Sequence, residues 1–195
     1  FLGNQQASRS FIRPLLHEDT NLFNRRTLDL AGPAIRGKHP VEIDMNIEST
    51  DRAAFATLSG ELAQTATPKP IKVNCRGSAG QGFGAFLAGP IEITLTGEAN
   101  DSVCKSMSSG QVHILPPPQC ELEPITSSII GNCALYGATG GELFVYGLAG
   151  DRFAVRNSGA TAVVEGVGLH ACEYMTGGIA VILGDVGDNF AAGMT

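Results

Sequence analysis

The sequence predicts a mainly β chain folded as a parallel β-helix, a single-stranded solenoid of short strands and tight corners. Three observations predict it. Short apolar runs recur: Ile91-Glu92-Ile93-Thr94-Leu95, Val112-His113-Ile114-Leu115, Leu143-Phe144-Val145-Tyr146 and Ile179-Ala180-Val181-Ile182-Leu183. They are too short and too β-branched for helices. Glycine-led units open at Gly77, Gly97, Gly131, Gly147, Gly166 and Gly184, separated by 20, 34, 16, 19 and 18 residues. A period below about 50 residues marks a repeat architecture. Composition agrees: 43% of residues are hydrophobic and 16% charged, with 25 Gly and no Trp. Such a chain builds its core from Val, Ile, Leu and Ala between tight turns. An antiparallel sandwich or up-and-down barrel would show closer turns and Asn-Gly or Asp-Gly hairpins.

The elements follow in order. Residues 1–49 read as a linker or irregular N-terminal segment, interrupted at Pro14, Pro33 and Pro40. Within it Val41-Glu42-Ile43-Asp44-Met45-Asn46-Ile47 alternates apolar and polar residues, the pattern of a half-buried strand. A short helix is expected over residues 50–65. Thr50 or Asp51 caps it, and Phe55, Leu58 and Leu62 share one face. Pro68 and Pro70 end it.

Residues 50–195 then form one repeat domain. Its corners call for a residue that accepts positive φ or a close backbone, which glycine does without penalty. The corner glycines are Gly77, Gly80, Gly82, Gly84, Gly97, Gly131, Gly147, Gly150, Gly166, Gly168, Gly184 and Gly187. The stretch from Pro116-Pro117-Pro118 to about Ser128 is a surface insertion. Val181 is expected to face the core.

Charge narrows the function. The net charge is −6, and from Gly97 onward three basic residues (Lys105, Arg152, Arg156) stand against ten acidic ones. No basic stripe or aromatic platform is visible, so nucleic acid is not an expected partner. No apolar run reaches the ~20 residues of a membrane span. No signal peptide is visible; the first residue is Phe1 and the first Met is Met45, as in a processed product or fragment. The five cysteines, Cys75, Cys104, Cys120, Cys133 and Cys172, include no C-x-x-C pair. They suggest neither a disulfide framework nor a zinc site.

Candidate chemistry is sparse. Gly80-x-Gly82-x-x-Ala85 formally matches a dinucleotide fingerprint, but the helix that must follow to hold a pyrophosphate is missing. His170 and Cys172 could pair as base and nucleophile; the plainer reading is a turn histidine and a buried thiol. His17, His39, His113 and His170 lack the equivalent positions a zinc site shared between repeats needs. Ser158 and Thr161 read as corner residues bonding backbone groups. Arg152 and Arg156 are the candidate anchors, for a salt bridge to neighbouring acids or for docking to another domain. No catalytic, cofactor-binding or metal residue is expected.

Longer strings carry a resemblance. Gly77-Ser78-Ala79-Gly80-Gln81-Gly82-Phe83-Gly84-Ala85-Phe86-Leu87, Gly97-Glu98-Ala99-Asn100-Asp101 and Gly131-Asn132-Cys133-Ala134-Leu135-Tyr136-Gly137-Ala138-Thr139 resemble the GXGXG domain of glutamate synthase. So do Val155-Arg156-Asn157-Ser158-Gly159-Ala160-Thr161-Ala162-Val163-Val164-Glu165-Gly166-Val167-Gly168 and Cys172-Glu173-Tyr174-Met175-Thr176-Gly177-Gly178. The resemblance runs from about Asp51 to Thr195. It implies a right-handed parallel β-helix acting as a scaffold. The parent enzyme would make two glutamates from glutamine and 2-oxoglutarate with a reduced electron donor. Its FMN and iron–sulfur cluster would sit in other domains, and the amidotransferase and FMN-binding synthase domains would be the partners. A cytoplasmic location follows, or a plastid one in a eukaryote.

Two departures stand out. Leu169-His170-Ala171 replaces a more polar or glycine-bearing turn. The chain also stops at Gly193-Met194-Thr195, where a further repeat is expected. The competing readings are an assembly subunit of a formylmethanofuran dehydrogenase-like molybdenum or tungsten enzyme, and an independent hydrolase or anhydrase.

Overall fold

The computed structural model describes residues 22–121 and 123–195. They form, in order, α1 Leu22–Ile35, β1 Val41–Ile47, α2 Ala56–Gln64, β2 Ile71–Ala79, β3 Ile91–Ala99, β4 Gln111–Leu115, β5 Ser128–Ile130, β6 Glu142–Ala149, β7 Ser158–Val167 and β8 Gly177–Ile182. The eight strands make one sheet in the order β1-β2-β3-β4-β6-β7-β8, with β5 beside β3 and β6. Every pairing is parallel. Hairpins join antiparallel strands only, so the sheet is neither an antiparallel sandwich nor an up-and-down barrel.

Period-two alternation puts one ladder of apolar residues inside: Ile43↔Val73↔Ile93↔Val112↔Leu143↔Ala162↔Ala180. All but Ala180 are buried. Fully burying a Val, Ile or Leu contributes about 1.5–3 kcal/mol. A one-residue slip would turn this ladder outward and bring Asp44, Asn74 and His113 in, so the register is strongly specified.

The next row, Asp44↔Asn74↔Thr94↔His113↔Phe144↔Val163↔Val181, lies on the outer face. There the rings of His113 and Phe144 stack 5.0 Å apart, 14° from parallel. Val181 is 40% exposed, so the expectation that it faces the core is corrected. In β8 it is Ala180 and Ile182 that pack against the core.

The region before residue 50 also differs from the irregular segment expected. Its strand is β1 as read, and it is preceded by α1. Phe23, Thr27, Ala31 and Ala34 are buried along one face of that helix. Pro33 hid α1 in the sequence. It lies in the last turn, and the helix closes just beyond it at Gly37, φ +68°. The Lys38 N–H donates to the Pro33 carbonyl and the Gly37 N–H to the Ala34 carbonyl, a common glycine-based helix stop. Residues 1–21, with Pro14 and His17, lie outside the described residues.

The second helix is shorter than predicted and begins at Ala56. Neither Thr50 nor Asp51 caps it. Asp51 Oδ2 accepts from the Glu48 N–H instead, at 2.9 Å. The helix follows Phe55, in left-handed conformation at φ 73°. Asn24 of α1 holds this junction: its Oδ1 accepts from the Phe55 N–H at 2.8 Å, and its Nδ2 donates to the Ala53 carbonyl at 3.0 Å. Phe55, Leu58 and Leu62 are buried as predicted. Phe55 meets Phe23 and Phe83 edge to face, at 5.3 and 5.6 Å, tying both helices to the turn that follows β2.

Candidate functional site

Strand ends lead into six-residue turns at 82–87, 102–107, 133–138, 152–157, 170–175 and 189–194. In each turn the first, third and fifth residues have φ between 52° and 76°. Fourteen of these eighteen residues are not glycine, among them Cys104, Leu135, Arg152, Ala154, Arg156, His170, Cys172 and Tyr174. Ala53 and Phe55 begin a like turn, which α2 interrupts.

Hydrogen bonds explain how the turns persist. Inside each turn an N–H reaches back three residues, as from Met107 to the Cys104 carbonyl. Between turns, the third residue donates to the preceding turn: Leu135 to Val103, Ala154 to Ala134, Cys172 to Phe153. The first donates to the residue just before the following turn, Ser102 to Asn132 and Arg152 to Leu169, and the fifth donates into that turn, Ser106 to Tyr136 and Arg156 to Glu173. The turns therefore stack as regularly as the strands.

A side-chain ladder runs beside them. Asp101 Oδ1 accepts from the Asn132 N–H, Asn132 Oδ1 from the Asp151 N–H, and Asp151 Oδ1 from the Leu169 N–H, each at 2.8 Å. Leu169 has no acceptor to pass on, so the ladder stops at the departure noted in the sequence.

The twelve glycines occupy distinct places. Gly77, Gly97, Gly147 and Gly166 lie within strands, not at corners. Gly131, Gly150, Gly168 and Gly187 sit just before the turns, where a Cβ would meet, at 2.6–3.1 Å, the backbone of the two residues that lead into the preceding turn. Gly80 follows β2, its would-be Cβ 2.6 Å from the Ser49 carbonyl oxygen. Gly82 and Gly84 take positive φ inside the first full turn. Gly184 follows β8. The Gly80-x-Gly82-x-x-Ala85 string thus shapes a turn.

Arg152 and Arg156 are both exposed on one turn. Arg156 lies over the Tyr174 ring, 5.9 Å from its centroid. Among the described residues neither arginine forms an ion pair. Ser158 and Thr161 belong to β7, which corrects their reading as corner residues. The Ser158 hydroxyl donates to the Ala138 carbonyl at 3.3 Å.

His170 and Cys172 are not joined. His170 Nδ1 is 2.8 Å from Glu173 Oε1. Cys172 is buried, and burial pushes its thiol up to about 11. Cys75 is raised to about 12 by burial first and the charge of Asp51 second. Burial also raises Cys104. These thiols are neutral at physiological pH, unlike metal-ligating thiolates. Among the described residues no three His, Cys, Asp or Glu are placed to hold a metal ion. His113 stacks on Phe144, and His39 Nδ1 lies 2.9 Å from the Pro40 carbonyl oxygen. Among the described residues these three buried thiols make no donor set for an iron–sulfur cluster.

Two grooves mark the outer surface. One, of about 980 Å³, crosses the N-terminal ends of the strands along the row Glu42–Lys72–Glu92–Gln111–Glu142–Thr161. Its polar groups engage one another: Lys72 Nζ is 3.8 Å from Glu42, and Gln111 donates to Glu142. The other, of about 830 Å³, is lined by Arg76, Thr96 and Glu98 and by the insertion Pro116–Cys120. No helix among the described residues is long and apolar enough to cross a membrane.

Comparison with known proteins agrees with the strings that first carried the resemblance. The family model described as GXGXG motif matches residues 24–195. Glutamate synthase [NADH] of Schizosaccharomyces pombe is 47% identical over 91% of this chain and 9% of its own length. The ferredoxin-dependent glutamate synthase of Pyropia yezoensis is 52% identical over 83% of this chain and 11% of its own. Ferredoxin-dependent glutamate synthase 2, chloroplastic, of Arabidopsis thaliana is 48% identical over 91% and 11%. The chain thus spans about a tenth of the length of these relatives. On the family match and these identities together, the chain belongs to the GXGXG domains of the glutamate synthase family.

Proposed function

We propose that this domain is a non-catalytic scaffold of a glutamate synthase, folded as a right-handed parallel β-helix. The observation that carries the reading is the turn stack. In each turn but the last, the first, third and fifth N–H groups join it to its neighbours and the inward side chains are buried, so the stack is built of structural contacts. Connectivity supports the hand: parallel strands adjacent in chain order are joined by crossovers, and such crossovers are right-handed in the great majority of folds. Eight of the twelve glycines, Gly77, Gly80, Gly97, Gly131, Gly150, Gly168, Gly184 and Gly187, serve that stacking by admitting neighbouring backbones.

The parent would convert glutamine and 2-oxoglutarate into two glutamates with a reduced electron donor. Its FMN and iron–sulfur cluster would be held by other domains. The amidotransferase and FMN-binding synthase domains are the proposed partners, with Arg152 and Arg156 among the docking residues. Relatives named for NADH and for ferredoxin match this chain about equally, which supports a role common to both donors. A cytoplasmic or plastid location fits cysteines that form no disulfide among the described residues. A subunit of a formylmethanofuran dehydrogenase-like enzyme has no support in these matches.

The test is a full-length glutamate synthase carrying this domain with His170→Ala and Cys172→Ala together. Turnover within about twofold of the parent is expected. A loss of turnover beyond tenfold at unchanged melting temperature and cofactor content would overturn the reading.

A further inference from the structure

The sequence shows no basic stripe or aromatic platform, yet the turn stack assembles a short one from residues far apart in the chain. Phe86, Lys105, Tyr136, Arg156 and Tyr174 occupy the fourth or fifth position of five successive turns, so aromatic and cationic side chains alternate across them. Backbone bonds set them side by side: the Phe86 N–H donates to the Lys105 carbonyl, Ser106 to Tyr136, Gly137 to Val155 and Arg156 to Glu173. Lys105 Nζ lies 5.7 Å from the Tyr136 centroid, and Arg156 lies over Tyr174. Phe86 is 60% and Tyr174 56% exposed.

We propose that this stripe docks an acidic segment of another part of the same polypeptide, a proposal that rests on the scaffold reading above. Charge complementarity carries the choice of occupant. All three basic residues between Gly97 and Thr195 lie in these turns, against ten acidic residues in the same stretch. Among the described residues neither Lys105 nor Arg156 has a carboxylate partner. Rings beside the cations exclude water, and Tyr and Arg are the residues that most often anchor protein interfaces. Two cations among many acids suit a few carboxylates better than a polyphosphate backbone. The chain covers about a tenth of its relatives, so most of such a polypeptide lies outside this domain and can supply the segment.

Zero-length carbodiimide coupling of the full-length enzyme, read by peptide mass spectrometry, tests this. It joins a lysine only to a carboxylate already in contact. Lys105 should couple to an Asp or Glu outside this domain. Arg156→Glu should cut that yield at least fivefold, and Arg156→Lys should keep it. Coupling of Lys105 only within the domain, or a yield indifferent to Arg156→Glu, overturns the proposal. If Lys69 or Lys72 couples outside the domain instead, the stripe fails while the scaffold reading stands. If no lysine of the domain couples outside it, both fail. Lys105-dependent retention of a single-stranded oligothymidine would overturn the protein partner.

Discussion

The strand side and the turn side of this domain differ in how far they depend on glycine. On the strand side the demand is for space and for positive φ together. Gly97 has φ +152° and Gly77 φ +132°, and a Cβ on either would be driven into a carbonyl oxygen of the preceding strand, that of Gly77 or of Ile47. On the turn side fourteen side-chain-bearing residues accept left-handed φ, where each costs about 1–2 kcal/mol. They persist because hydrogen bonds to both neighbouring turns over-determine the backbone. Positive φ alone therefore does not call for glycine in this fold; positive φ combined with close approach of a neighbouring strand does.

Four substitutions can break or sharpen that contrast. The largest effect is expected from Gly97→Ala. A single methyl at that position has no room, and the loss should exceed about 4 kcal/mol, read as collapse of the cooperative transition in urea denaturation followed by circular dichroism. Next comes a matched pair on adjacent strands. Ala162→Asp buries an unpaired charge and should cost about 3–5 kcal/mol. Val181→Asp, on the outer face of β8, should cost under about 1 kcal/mol. Equal losses from the two would mean the inner and outer rows are misassigned.

The smallest effect, and the sharpest, has the opposite sign. Arg152→Gly removes an exposed side chain from a residue at φ +60°. Relief of left-handed strain should outweigh the greater freedom of the unfolded chain and stabilise the domain by about 0.5 kcal/mol. A fall in melting temperature would mean that the turns impose no such strain.

How much was legible follows from the same contrast. The strands were readable because alternation reports burial directly: β1, and the runs within β3, β4, β6 and β8, lie where the apolar pattern put them. β7 was overlooked because its inward residues Ala160 and Ala162 are small and its outward ones polar or aliphatic without a clear beat. Val181 was misplaced because both faces of β8 are apolar. α1 was hidden by Gly32 and Pro33, which a closing turn tolerates. The turns were the least legible, since a search for positive φ looks for glycine. A weaker signal was present. None of the fourteen left-handed residues is Val, Ile or Thr, the residues whose branched Cβ crowds that region most, while Val103 and Val155 fall on the positions between. The aromatic and cationic stripe could not be read at all, because its members become neighbours only through stacking.

The two insertions have a wider consequence. Nine helical residues enter after Phe55, and the stretch from Pro116 to Ser127 separates β4 from β5, yet β2 pairs with β1 and β6 with β4 in unbroken register. The reading frame of this fold is thus held by the neighbouring layer and not counted along the chain. A layer copies its phase from the one before it, through backbone bonds and the Asp101–Asn132–Asp151 relay, and the text between copies is free to lengthen. A fixed period in the sequence is then a by-product of economy, and its absence in a related chain is no argument against the same architecture.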